Sequence, residues 1–460
     1  MAESWSSFDL HLDWRPGDGR RALADALRRA IRDGRLPPGS TVPSTRVLAK
    51  DLGMARGTVT RIYADLTAEG YLYTSQGAPT KVTTRGGPAL APPKDDVRPR
   101  AAPWVPDVRW DFYPGRPDLS SFPRTAWLSA SRRVLHEAPA SVFDYSDAYG
   151  PIVLRRALAH YLARSRGVVA DPERIVVCGG FKHALTTLGR VLADRGEIAF
   201  EDPSLPEFRA AATHGGARVT GVPVDEHGIR VSELDSPVVV VTPAHQYPLG
   251  VTLAPQRRTA LARWASETGG LVIEDDYDGE FRFDREPVGA LQALAPERII
   301  YAGTVSKTLS PALGIGWLVL PRALVEPVRA ALSESGWRTP MLDHLILADL
   351  LTSGVYERHV RQRRAAYRKR RDRLLAALPA GFTPGGISAG LHVVLGFTGV
   401  GEAEAIATIL RHSVAVDGLG RHWLGEHRRP GLVVGYATPA EHAFGPALDA
   451  LVTALREISP

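Results

Sequence analysis

Hydrophobic residues change period several times along the chain, and the changes divide it. Between residues 20 and 33 the apolar positions Leu23, Leu27 and Ile31 recur at helical spacing with arginines between them. This predicts an amphipathic helix with a basic face that stops at Gly34. Leu36-Pro-Pro-Gly39-Ser-Thr-Val-Pro43 reads as a connector, after which Ser44 or Thr45 caps a second helix through Leu48 and Leu52. A tight turn at Gly53 leads into a third, Ala55 to Leu66, so that two short helices form a helix-turn-helix. Tyr71-Leu-Tyr73 and Lys81-Val82 are expected to pair as a wing with Gly77 at its tip. From Arg85 to Pro106 prolines at 88, 92, 93, 99, 103 and 106 rule out regular ladders and predict an extended spacer. Beyond it, short apolar runs alternate with helical stretches to about residue 320. That order predicts an α/β domain with a mostly parallel sheet covered on both faces. The expected organisation is a winged helix-turn-helix over 1–84, a linker over 85–106, a large domain over 107–320 and a smaller α/β lobe over 321–460.

The second helix of a helix-turn-helix enters the major groove by its N-terminal residues. Here those are Arg56, Thr58, Thr60 and Arg61, which offer guanidinium forks and hydroxyls to bases and phosphates. Arg46 begins the preceding helix, and Gly77 sits at the wing tip. Arg28, Arg29 and Arg32 are read instead as a solvated helix face.

Candidate chemistry lies further on. The buried-strand pattern Arg298-Ile-Ile-Tyr-Ala302 runs into Gly303-Thr304-Val305-Ser306-Lys307-Thr308. A lysine delivered by a strand end into a small-residue turn suits a Schiff base with an aldehyde cofactor such as pyridoxal phosphate; a surface lysine in an ordinary turn is the plain alternative. About thirty residues upstream, Gly270-Leu-Val-Ile273 leads into Glu274-Asp275-Asp276-Tyr277-Asp278. In extended backbone Asp275 and Tyr277 share a side, where a carboxylate can keep a pyridine nitrogen protonated and a phenol can reach the ring's 3′-oxygen. Acidic runs at strand ends are also solvated turns or metal sites, and that reading stays open. Ile175-Val-Val-Cys-Gly179-Gly180-Phe181-Lys182 is a strand turning through glycines into a helix, whose free amides would hold a phosphate. Glu201-Asp202-Pro203-Ser204-Leu205-Pro206 and Thr242-Pro243-Ala244-His245-Gln246-Tyr247-Pro248-Leu249-Gly250 complete the series.

Taken in this order, the segments resemble the large domain of fold-type I aminotransferases. Their variants, with Pro-Ser-Thr-Arg46 and Ala-Arg56-Gly-Thr-Val near the N-terminus, resemble the MocR type of GntR-family regulators over nearly the whole chain. The resemblance implies a winged helix-turn-helix fused to an aminotransferase-like body with large and small domains. It makes Lys307 the lysine that takes the aldehyde of pyridoxal 5′-phosphate, Asp275 the pyridinium partner and Tyr277 the partner of the 3′-oxygen. Gly180, Phe181, Lys182, Thr304, Ser306, Tyr247 and Leu205 complete the expected cofactor site. Three positions depart from the family. Gly314 stands where an arginine commonly helps hold the phosphate, Leu205 stands where an aromatic ring commonly stacks on the cofactor, and Val433 stands where an arginine grips a substrate carboxylate. Arg428 or Arg429 is the remaining candidate for that last role, against the plainer reading of exposed arginines.

Composition fits this picture. The 460 residues carry a net charge of +6, which favours a polyanion partner. One cysteine, Cys178, excludes an internal disulfide, and no apolar run reaches a membrane span, so a cytoplasmic protein is expected. His359, His392, His422 and His427 lack zinc-ligand spacing, so no metal is expected. Nine arginines and lysines between Arg358 and Arg373 are read as a solvated helix face, with a secondary DNA-tracking surface on the body as the alternative. The expected function is a homodimeric transcriptional regulator that binds double-stranded operator DNA at paired half-sites and senses an amine, an amino acid or pyridoxal phosphate. A working aminotransferase and a cofactor-free DNA-binding dimer are the alternatives.

Overall fold

A computed structural model describes residues 12–15, 17–75, 78–83, 107–283, 288–338, 340–425 and 429–459. The chain divides into two compact units, 1–100 and 101–460. The expected linker over 85–106 and the wing tip at Gly77 lie outside the described residues.

The first unit contains helices α1 (Gly19–Arg32), α2 (Thr45–Asp51) and α3 (Arg56–Ala68), then strands β1 (Leu72–Tyr73) and β2 (Lys81–Val82). Ser44 caps α2 by accepting from the Val47 amide at 3.3 Å. Leu23 and Leu27 from α1, Leu48 from α2, and Val59, Ile62 and Leu66 from α3 close one core with Leu72 and Val82. β1 and β2 pair antiparallel with Leu72 opposite Val82. Two arginines expected to be merely solvated do more. Arg28 donates to both carboxylate oxygens of Glu69 at 2.8 and 2.6 Å, and Arg32 donates to the Tyr71 hydroxyl at 2.9 Å, tying α1 to the end of α3.

The second unit opens with β3 (Trp110–Asp111), α4 (Arg124–Glu137), α5 (Ile152–Arg166), β4 (Ile175–Cys178), α6 (Phe181–Val191) and β5 (Ile198–Asp202). It continues through α7 (Pro206–His214), β6 (Val219–Asp225), β7 (Gly228–Ile229), β8 (Val238–Val241), α8 (Pro255–Thr268), β9 (Leu271–Asp275), β10 (Ile299–Thr304) and β11 (Gly316–Val319). Then follow α9 (Arg322–Glu334), α10 (Met341–Thr352), α11 (Val355–Ala377), β12 (Thr383–Gly385) and β13 (Val393–Gly396). The chain ends with α12 (Glu402–Arg411), β14 (Val414–Ala415), β15 (Asp417–Gly418), β16 (Gly431–Val434) and α13 (Phe444–Ile458).

Eight strands form one sheet in the order β4-β11-β10-β9-β8-β5-β6-β7. Its centre, β10-β9-β8-β5-β6, is parallel, while β11 runs antiparallel to both neighbours and β7 closes the far edge antiparallel. Alternate residues supply opposite faces. Val176, Phe200 and Ile300 meet Leu185 and Leu188 of α6 and Val328 of α9, whereas Val177, Tyr301 and Trp317 meet Leu158 of α5 and Ile346 of α10. Burial on both sides is why these strands read as continuous apolar runs.

The division expected at residue 320 is displaced. α9 and α10 belong to the cores of the large lobe. Conversely, Trp110–Asp111 pairs in parallel with Val414–Ala415, and Phe112 lies in the small-lobe core with Leu432, Phe444 and Leu451. A four-stranded sheet, β12-β13-β16-β15, completes that lobe. The basic run on α11 is also not wholly solvated. Arg370 is buried and donates to Asp118 and Glu441 at 2.7 Å and to the carbonyls of Ala437 and Pro439 at 3.0 and 2.7 Å.

Candidate functional site

In open α/β sheets the crevice beyond the carboxyl ends of the parallel strands is where side chains from different strands converge. Here β5, β8, β9 and β10 end together. Lys307 follows β10, is half-buried, and donates from Nζ to the carbonyl of Gly115 at 2.5 Å. Asp275 ends β9, beside Ala302 of β10 in register, and is buried. Its Oδ1 is buried without a hydrogen-bond partner. Such an orphan carboxylate oxygen is costly unless a donor arrives.

The electrostatics of the pair are mutual. Burial pushes the Asp275 carboxyl well above the usual range, against the pull of Lys307, with Asp276, Asp278 and Glu201 pushing the same way as burial. Burial lowers the Lys307 amine, opposed by Asp275 and Asp278 and assisted by Arg116. A lowered amine pKa leaves more of the free base, the form that attacks a carbonyl.

Aromatic and imidazole groups line the neighbouring wall. The Tyr277 hydroxyl lies 3.1 Å from His245 Nδ1, which also lies 2.9 Å from Asp278 Oδ2. Tyr247 is edge-on to Tyr277 at 6.1 Å between ring centroids, to His392 at 5.0 Å and to His422 at 5.4 Å. Gly390 is required here, since with φ +77° a Cβ would stand 2.2 Å from His245 Cε1 and 2.7 Å from Asp278 Oδ2. Sequence spacing did not bring His245, His392 and His422 together, because they come from three separate segments that meet only in the folded lobes; of these, His245 stood inside a recognisable motif. Among the described residues no group of three His, Cys, Asp or Glu side chains is arranged to hold a metal ion.

A second cluster faces the start of α6. Gly180 caps that helix with φ +85° and open space where a Cβ would be. Gly316 approaches it so closely that a Cβ on Gly316 would lie 2.8 Å from Gly180 Cα, and Gly316 pairs in register with Thr304. Thr304 Oγ1 lies 2.9 Å from Ser306 Oγ and accepts from the Ser306 amide at 3.1 Å. The Thr304 hydroxyl donates to the Ile315 carbonyl at 3.0 Å and so orients Ser306, which leaves the Ser306 hydroxyl and the positive end of α6 as the chemistry of an anion cradle. Phe181 packs edge-on against Phe208 at 4.9 Å, and Lys182 is exposed. Leu205 is half-buried at the start of α7, Gly314 has φ +59° with nothing near its missing Cβ, and Val433 is buried among Val394 and Leu419. Arg429 is exposed, and residue 428 lies outside the described residues.

In the first unit, Arg46, Arg56 and Arg61 are exposed and Thr58 is half-buried at the starts of α2 and α3. The Thr60 hydroxyl donates back to the Arg56 carbonyl at 3.0 Å, so its proton is used within the helix.

Comparison with known proteins agrees with both units. Residues 20–82 match the model for bacterial regulatory proteins of the gntR family, and residues 115–419 match the model for aminotransferase class I and II. The HTH-type pyridoxine biosynthesis transcriptional regulator PdxR of Corynebacterium glutamicum is 32% identical over 95% of this chain and 94% of its own length. The probable rhizopine catabolism regulatory protein MocR of Rhizobium meliloti is 33% identical over 91% and 90%. Among solved structures, the α-aminoadipate aminotransferase LysN of Thermus thermophilus, complexed with N-(5′-phosphopyridoxyl)-L-leucine, superposes with a TM-score of 0.69 at 25% identity. That match covers 76% of this chain and 92% of LysN. The chain therefore belongs to the MocR-type, GntR-family regulators that carry an aminotransferase class I and II domain behind a winged helix, and it is a DNA-binding transcriptional regulator.

Proposed function

We propose that the body of this regulator holds pyridoxal 5′-phosphate and uses it to sense an amine, an amino acid or the cofactor itself. The observation that carries the reading is the orphaned Oδ1 of buried Asp275 beside the desolvated amine of Lys307. That pair fits a cationic ring nitrogen and an aldehyde. When bound, the cofactor supplies an electrophilic carbon for amines and an electron-withdrawing ring. Lys307 would take the aldehyde, and Asp275 would accept the ring N–H. Tyr277 and Tyr247 would serve the ring oxygen, and Leu205 would cover the ring by packing rather than stacking. The Gly180, Phe181 and Lys182 amides would hold the phosphate with Thr304 and Ser306. Lys182 can add its charge from solvent.

An effector amine would free Lys307 from the cofactor, and regulation then requires that the released lysine favour one arrangement of the protein over another. The working form is a cytoplasmic homodimer that reads two half-sites with Arg46, Arg56, Thr58, Thr60, Arg61 and the wing around Gly77. Exposed Leu128 and Leu135 on α4, Phe143 and Tyr145 in the segment leading into α5, and Val153 in its first turn support self-association.

Purified protein incubated with pyridoxal phosphate should show the shifted visible absorbance of a lysine-bound cofactor, and borohydride should bleach that band while leaving the cofactor covalently attached. Lys307→Ala should abolish it. A wild-type protein that returns only the spectrum of free cofactor would overturn the reading in favour of a cofactor-free DNA-binding dimer.

A further inference from the structure

We propose that Arg116 is the carboxylate-binding residue of the effector site, so that the effector is an amino acid rather than a simple amine. The inference rests on the cofactor reading of Lys307 and adds the ligand's second functional group.

Arg116 directly follows Gly115, whose carbonyl holds Lys307 Nζ at 2.5 Å. Its guanidinium is half-buried and anchored on one side only, by an ion pair from Nη2 to Asp111. Its Nε is buried and has no hydrogen-bond partner. Asp111 is itself fixed, since its Oδ1 accepts from the Tyr113 amide at 2.8 Å and its backbone lies in β3 opposite Ala415. The Arg116 carbonyl also accepts from Thr438 Oγ1 at 3.2 Å. The plane of the guanidinium is therefore set by the fold while one N–H remains unsatisfied. A buried donor in that state costs stability until an acceptor reaches it, and a carboxylate is the acceptor that suits a guanidinium best.

Rival cations are already committed. Arg421 donates to the Tyr113 hydroxyl at 2.7 Å and to Asp417 at 3.1 Å, and pairs with Glu207. Arg209 donates to the Ser204 and His422 carbonyls at 2.7 Å. The strand position that could have offered a charge is Val433, which is fully buried in apolar contacts. Among the described residues, Arg116 thus combines proximity to the reactive amine with a vacant donor. A molecule bearing an amino group for the cofactor and a carboxylate for Arg116 spans the two.

The test compares glycine and β-alanine with methylamine and ethylamine, which lack only the carboxylate. Cofactor absorbance of the full-length protein is titrated with each. Wild type should respond to the amino acids at concentrations about 10- to 100-fold lower than to the matched amines, as one charge-assisted hydrogen bond implies. Arg116→Gln should bring the two classes to parity while the lysine-bound cofactor still forms, its band moving only as loss of the Arg116 charge near Lys307 requires. Arg116→Lys, which keeps charge and packing but loses the fork, should recover part of the preference, and Arg421→Gln should retain it. An undiminished preference in Arg116→Gln, or its loss in Arg421→Gln alone, overturns the proposal. Calorimetric titration of cofactor-free protein with maleate separates this from failure of the cofactor reading. Binding by wild type that is lost in Arg116→Gln supports the carboxylate site even if no cofactor absorbance forms, and equal binding by the two sinks it.

Discussion

Glu201 closes β5 from the inside of the site. Burial pushes its carboxyl up to about 7, against donation from the Thr242 amide and hydroxyl and from Gln246. The folded protein therefore holds a proton that the unfolded chain releases near the ordinary value of 4.5. Stability from this group is full below that ordinary value and falls as pH rises towards 7, by roughly 3 kcal/mol at about 1.4 kcal/mol per pH unit. Glu201→Gln keeps the shape without the charge. The urea midpoint of the variant should exceed that of wild type at pH 8 and lose that advantage at pH 5; parallel pH dependence of the two would refute the assignment. At this scale Lys307 and Asp275 were legible because each ends an apolar strand in a recognisable run. Arg116 was not, since nothing in Gly115-Arg116-Pro117 announces that the guanidinium keeps a vacant donor; that follows from the reach of Asp111.

Strand alternation sorts the acidic run at the end of β9 into two jobs. Asp275 faces the site, whereas Glu274 and Asp276 point the other way. Glu274 accepts from the Leu291 and Gln292 amides at 2.7 and 2.8 Å. Asp276 takes Arg166 Nε at 2.6 Å and Nη2 at 2.9 Å, and the Tyr301 hydroxyl at 2.7 Å. Neither a solvated turn nor a metal site describes them. Both residues of the Arg166–Asp276 pair are buried, so Asp276→Asn should cost about 3–5 kcal/mol by leaving the guanidinium uncompensated. Arg166→Met combined with Asp276→Leu should recover much of that loss in urea unfolding, and a single variant as stable as wild type would contradict the assignment. Element order and the parallel sheet were readable from period alone, because β4, β8, β9 and β10 are apolar on both faces. The lobe boundary was not, since α9 and α10 carry the same helical pattern whichever core they join. Arg370 was hidden for a similar reason: composition cannot distinguish an arginine facing water from one facing the Ala437 and Pro439 carbonyls.

For the whole molecule, the winged helix and the proposed cofactor site lie in separate compact units, and their residues should fail independently. Arg56 opens α3 with its side chain exposed, while the apolar residues of that helix are committed to the core. Removing the guanidinium would therefore remove any contact it makes with DNA and little packing. Arg56→Ala should weaken operator binding by about 1–3 kcal/mol at fixed salt if it reads a base, with cofactor absorbance unchanged. If it touches only phosphate, the loss should be equal on unrelated DNA and the salt slope should fall by about one. Lys307→Ala should do the converse, preserving affinity for nonspecific DNA while abolishing any change in operator affinity on adding pyridoxal phosphate or an amino acid. Fluorescence anisotropy on labelled operator and scrambled duplexes, with and without each ligand, reads all of these at once. Operator affinity that is indifferent to ligands in wild type would detach the pocket from transcription and leave the winged helix to act alone. Affinity that still responds in Lys307→Ala would place the sensing step somewhere other than this lysine.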